Sequence, residues 1–169
     1  MMKKGYWIGL LLWLLPAVLC GQEERVYTSL EQVKDPLQVY HLRLRHRRLR
    51  EVPPEVWRMA NLRELDLRGN RITALSDSVG RLAHLQRLEL SRNPLTDMPD
   101  SLAQLTELRE LVLWNTYVTS LPPACAALDG TLQLLDLRSC PLTLDDQTRL
   151  TQLIPSVKKL WDYACNCSD

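Results

Sequence analysis

Aliphatic residues recur along this chain with a period of 23. Stepping from Val39 gives Leu62, Leu85 and Leu108, and a one-residue insertion at Gly130 carries the column on to Leu132. Three residues further on stand Leu42, Leu65, Leu88, Leu111 and Leu135; five on, Leu44, Leu67, Leu90, Leu113 and Leu137; ten on, Leu49, Ile72, Leu95, Val118 and Leu142. Further columns hold Val52, Leu75, Met98 and Leu121, then Val56, Val79, Leu102 and Cys125. In each LxL run the side chains alternate across a strand, so both leucines point to one side and the residues beside them to the other. A single unit cannot cover its own leucines. Stacking successive units buries them in one continuous core whose two ends need caps.

The units LRELDLRGNRITALSDSVGRL, from Leu62, and LQRLELSRNPLTDMPDSLAQL, from Leu85, resemble the leucine-rich repeat family in its 23-residue form LxxLxLxxNxLxxLPxxLxxLxx. The resemblance is strongest over residues 39–142, extends over about 26–163, and is to a small secreted bacterial member. It implies an α/β solenoid: a curved right-handed coil with a parallel sheet on its concave face and short helices or turns on its convex face. The eighth column reads Arg47, Asn70, Asn93, Thr116 and Cys140. In the family this position is usually Asn, with Thr and Cys as variants, and its side chain bonds the backbone where the chain leaves the strand. Arg47 departs from that pattern. Asn115 falls one place early and is read as a surface residue.

Around the repeats, residues 1–21 have the order of a secretory signal peptide: Lys3 and Lys4, an apolar run, then small residues before the acidic pair Glu23 and Glu24. Cleavage near Gly21 and Gln22 places the protein outside the cytoplasm, as a secreted, periplasmic or cell-surface chain. The alternative makes Cys20 the lipid-carrying cysteine of a lipoprotein and hence a membrane tether. Residues 22–38 read as an N-terminal cap, with Thr28 and Glu31 as a capping box. Residues 39–154 are repeats, and residues 155–169 are a C-terminal cap and tail. Loss of Lys3 and Lys4 with the signal leaves 19 basic against 20 acidic residues, so no bulk attraction to nucleic acid follows.

The outward strand positions fall into three columns. The first is His41, Glu64, Arg87, Glu110, Leu134 and Lys159; the second is Arg43, Asp66, Glu89, Val112, Asp136 and Trp161; the third is Arg45, Arg68, Ser91, Trp114, Arg138 and Tyr163. Early in the first column opposite charges alternate, which suits a cross-strand ladder. The C-terminal half differs, because Val112, Trp114, Leu134, Arg138, Trp161 and Tyr163 gather there, with Arg68 further along the third column. Trp, Tyr and Arg are the residue types that most often anchor protein interfaces. The expected function is therefore binding of another protein through the concave face, with Trp114 as anchor. The alternative is a structural role in which the same face buries itself against a second copy. A third option is that these aromatics pack on one another and on Arg138 merely to finish the sheet.

Other chemistry finds little support. HLRLRHRRLR (41–50) suits a solvated edge better than a nucleic-acid site, and His41 and His46 lie among arginines that would repel a metal cation. No glycine-rich phosphate loop or nucleophile-base arrangement is present, so neither an enzyme activity, a small-molecule substrate nor a cofactor is expected. Of the cysteines that follow the signal, Cys125 takes a core position and reads as a buried free thiol. Cys140 paired with Cys165 or Cys167 would close the C-terminal cap as a disulfide.

Overall fold

The structure is a computed structural model and describes residues 25–162. Seven short strands, β1 (Val26–Tyr27), β2 (His41–Arg43), β3 (Glu64–Asp66), β4 (Arg87–Glu89), β5 (Glu110–Val112), β6 (Leu134–Asp136) and β7 (Lys158–Leu160), form one parallel sheet in chain order. From β2 to β5 the pairing register follows the 23-residue period: His41 faces Glu64, Glu64 faces Arg87, and Arg87 faces Glu110. The coils return through 3-10 helices at Pro54–Arg58, Asp77–Arg81, Asp100–Gln104 and Pro123–Leu128. This is the leucine-rich repeat solenoid that the sequence implies.

Inside the coil the leucine columns lose all contact with solvent: Leu65, Leu67, Leu88, Leu90, Leu111 and Leu113 are each 0% exposed. Beside this core runs the side-chain ladder. The Asn70 amide oxygen accepts from the backbone N–H groups of Arg47 (2.8 Å) and Leu49 (3.2 Å), while its nitrogen donates to the carbonyls of Leu44 (2.8 Å) and Leu67 (2.6 Å). One side chain thus ties two coils together and satisfies groups that burial would otherwise orphan. Asn93 repeats the pattern with Ile72, Leu67 and Leu90. Thr116 and Cys140 keep part of it, both donating to the carbonyl of Leu113 (2.8 and 3.1 Å). Arg47 makes none of these side-chain bonds. Its guanidinium instead donates to the Thr28 carbonyl (2.9 Å), stitching the first coil to the cap.

Asn115 has a specific backbone role. It belongs to a column of left-handed residues, His46, Gly69, Arg92, Asn115 and Ser139, with φ between 53° and 70°. Each turns the chain out of its strand and donates its N–H to the next coil. The acceptors are the carbonyls of Arg68, Ser91, Trp114 and Arg138 for the first four, at 2.9 to 3.0 Å, and the Asp162 carboxylate for Ser139 (2.6 Å). Asn tolerates this conformation better than most residues. At Gly69 a β-carbon would meet the His46 ring at 2.3 Å, so a larger residue there would have to displace that ring.

The ends depart from expectation in two places. The sheet begins inside the N-terminal cap with β1, whose Tyr27 is buried, and the capping box expected at Thr28 and Glu31 does not form. Ser29 precedes the first 3-10 turn without a side-chain bond, and the Thr28 N–H donates to the Gln32 side chain (3.2 Å). A capping box forms instead at the far end, where Thr143 and Asp146 exchange backbone bonds (2.9 and 3.2 Å) at the start of helix α1 (Leu144–Leu153). Hydrogen bonding from Thr143 holds the Asp146 carboxyl below its ordinary pKa.

The second departure is the register of the last strand. With α1 in the final coil, Leu134 pairs with Lys158, Leu135 with Lys159 and Asp136 with Leu160. The outward positions are therefore Lys158, Leu160 and Asp162, and Lys159 and Trp161 fall in the inward columns. Trp161 packs against the core and does not line the concave sheet. Lys159, partly buried at the last inward position, turns its ammonium to the carbonyl of Val157 (2.8 Å), and burial lowers its pKa. Cys125 is a fully buried free thiol, with its pKa pushed up to about 11 by burial. Cys140 is also free in this structure, its sulfur occupied by the Leu113 carbonyl. Residues 1–21, read as a signal peptide, and Tyr163, Cys165 and Cys167 lie outside the described residues.

Candidate functional site

The concave face divides into two halves of different chemistry. In the N-terminal half charges answer one another across strands. Glu64 receives His41 (3.2 Å) and Arg43 (3.6 Å), Arg45 pairs with Asp66, and Arg87 reaches both Glu110 and Glu89. The second column is the most deeply placed, with Asp66 at 1%, Glu89 at 6% and Asp136 at 4% exposure. Each of these carboxylates accepts the backbone N–H two residues further on, from Arg68, Ser91 and Arg138, at 3.1 to 3.2 Å. A buried charge satisfied in this way stiffens the strand exit.

Val112 breaks that column. Where a carboxylate would stand, the face turns apolar, and a shallow depression of about 450 Å³ opens over it. Its lining includes Val112, Leu134 and Leu160 as floor, with Trp114, Arg68 and Arg138 around it. The structure thus brings together five of the residues singled out in the sequence: Arg68, Val112, Trp114, Leu134 and Arg138. Trp161 lies elsewhere, beside Leu144, Gln147 and Thr151 of α1, and Leu160 takes the place on the face expected for Trp161. Leu160 was missed because Val157 and Leu160 restart the apolar pattern one residue late: the last strand pairs Leu135 with Lys159, one residue before the leucine that continues the column. Asp136, Glu89 and Ser91 also line the depression.

Trp114 is less free than its outward position suggests. It is half-buried. The Arg92 guanidinium lies 4.5 Å and that of Arg68 5.3 Å from its ring centroid, and its indole N–H donates to Ser139 Oγ at 3.3 Å. Arg68 sits two strands away. The small, buried Ser91 on the intervening strand leaves the indole room to reach it. Arg138, by contrast, is held by Asp136 through two hydrogen bonds of 2.9 and 2.6 Å, and that bonding raises its pKa. Tryptophan and arginine therefore reach any partner already oriented, which lowers the ordering cost of binding.

Among the described residues, no group of three or more His, Cys, Asp or Glu is placed to hold a metal, and no helix is long and apolar enough to cross a membrane. A family model described as a leucine-rich repeat region matches residues 17–163. Among solved structures the chain is similar to a leucine-rich repeat protein of Leptospira interrogans, with 21% identity, a TM-score of 0.52, and coverage of 83% of this chain and 47% of that one. It is also similar to an internalin of Listeria monocytogenes, with 17% identity, a TM-score of 0.58, and coverage of 76% of this chain and 38% of that one. The chain spans less than half the length of either, and at these identities the likeness concerns the fold. No curated protein matches in sequence.

The packing around Trp114 predicts a graded response to truncation. Trp114→Ala removes two cation-π contacts at a half-exposed site and should cost about 1–2 kcal/mol of stability. Leu113→Ala opens a cavity in the core and should cost about 2–5 kcal/mol. Denaturant unfolding of both variants checks the order, and an equal loss would place the tryptophan in the core.

Proposed function

The chain belongs to the leucine-rich repeat family, and on that premise we propose that it is a protein-recognition module whose partner docks on the C-terminal half of the concave face. The observation that carries this reading is the break at Val112. A column of satisfied buried carboxylates gives way to Val112, Leu134 and Leu160, flanked by a pre-oriented tryptophan and arginines. An apolar floor with an aromatic and cationic rim is the usual composition of an interface hot spot. Nothing comparable interrupts the ion-paired N-terminal half, so the preference for one half has a physical basis.

Export belongs to the same proposal. It rests on the order of residues 1–21, from Lys3 and Lys4 through the apolar run to Gly21. A partner met outside the cytoplasm agrees with a concave face that carries its own charge pairs, since these leave little net field to attract nucleic acid.

Selection from a random peptide library on the immobilised full chain tests the docking face. Selected peptides should lose about 2 kcal/mol or more of affinity, roughly thirtyfold, on Trp114→Ala. Leu134→Asp should weaken them to a similar degree while the melting temperature stays near that of the parent. Peptides that bind both variants as well as the parent would move the site off this face. For export, mass analysis of the chain from its native host should find an N-terminus at Gln22 or a lipid-modified Cys20. A cytosolic chain that retains Met1 would contradict it.

A further inference from the structure

The arginines of the concave face are of two kinds. Arg45, Arg87 and Arg138 each spend their guanidinium on a carboxylate of the same sheet: Asp66, Glu89 with Glu110, and Asp136. Arg68 and Arg92 do not. Among the described residues, neither guanidinium has an ion pair or a hydrogen bond, and both lie against the Trp114 ring, at 5.3 and 4.5 Å. Stacking fixes an arginine while leaving its in-plane N–H groups unsatisfied, and those donors match the two oxygens of a carboxylate. The carboxylates that might have quenched them are already taken. Asp66 is held by Arg45 and the Arg68 N–H, and Glu89 by Arg87 and Ser91.

We propose that Arg68 and Arg92, held on Trp114, form a clamp for a carboxylate of the partner, and that the partner is an acidic peptide segment carrying Asp or Glu close to an apolar side chain. The proposal rests on the docking face described above and names its chemistry. The acid meets the two guanidinium groups beside Trp114, Arg68 lining the depression and Arg92 the neighbouring hollow with Asn115 and Tyr117, and the apolar side chain next to it covers Val112, Leu134 and Leu160 on the floor. Charge complementarity selects the occupant. The polar groups around the floor, Asp136 with Arg138 and Glu89 with Arg87, are paired within the chain, so the unsatisfied charge at this site is positive. A basic or neutral peptide would leave both arginines unanswered. A sulfated polysaccharide would satisfy them but has nothing to place on the apolar floor.

The test compares random decapeptide libraries selected on the full chain and on its Arg68→Gln, Arg92→Gln double variant. The parent pool should be enriched in Asp or Glu within two residues of Leu, Ile or Phe. Its peptides should bind at least tenfold more weakly to the double variant, and more weakly to the parent in 0.5 M sodium chloride, where partly exposed pairs are screened. The pool selected on the double variant should lose its acidic bias yet still require Trp114. Neutral or basic peptides prevailing on the parent while still needing Trp114 would overturn the clamp and leave the docking face standing. Heparin fragments bound through Arg68 and Arg92, with no acidic peptide enriched, would equally overturn it. Peptides indifferent to Trp114 would remove both the clamp and the face.

Discussion

Every feature of this molecule depends on the inability of one coil to bury its own leucines. Leu65 and Leu67 become fully buried only because coils lie on both sides of them, and the same holds at each step from β2 to β6. Stacking brings backbone polar groups together wherever the coils meet, and each must find a partner. The sheet satisfies those along the strands. At the strand exits, Asn70 and Asn93 bond across coils, and the left-handed column from His46 to Ser139 hands each N–H to the coil ahead. Where Thr116 and Cys140 replace asparagine, fewer of these bonds remain, yet the carbonyl of Leu113 is still held. Cross-coil bonding also fixes the strand spacing, and through it the places of all outward side chains.

Much of this was legible in the sequence because period and register are the same information. Once the 23-residue step is found, the alternation within LxL places Arg68, Val112, Trp114, Leu134 and Arg138 on the concave side, and the structure agrees. Legibility fails where the period fails. The last coil, which holds α1, takes the same step as the coil before it, Glu110 to Leu134 and Leu134 to Lys158, while Val157 and Leu160 imitate the repeat one residue out of step with that pairing. Leu160 thereby turns onto the face while Trp161 turns to the core. The N-terminal capping box failed for a different reason: Thr28 and Glu31 fit the local pattern, but the turn that forms is too short and begins one residue later, at Ser29. Nor does a period reveal side-chain pairing across strands. That Arg68 and Arg92 would both lie over the Trp114 ring depends on the small side chain of Ser91 and on two arginines having no acid to bind.

The proposed docking site lies where the face changes character. Three buried carboxylates stiffen the strand exits in their column, and each is satisfied by its own chain. At Val112 the column carries no charge, and Val112, Leu134 and Leu160 line a shallow depression there. Around it, binding groups are already oriented: the indole by two cations and Ser139, and Arg138 by Asp136. A docking site of this kind needs no insertion or extra domain. In the proposed site one apolar residue in a repeating column marks the floor, and the stacked coils on either side hold it in place.

The most direct measurement is nuclear magnetic resonance of the full chain titrated with a selected peptide. It would follow the Trp114 indole N–H and the methyl groups of Val112, Leu134 and Leu160. Docking on the C-terminal half of the concave face should shift these signals together, saturating at one peptide concentration, while the Trp57 and Trp161 indoles stay in place. Shifts centred on Trp161 and helix α1, with the Trp114 and Val112 signals unmoved, would contradict it.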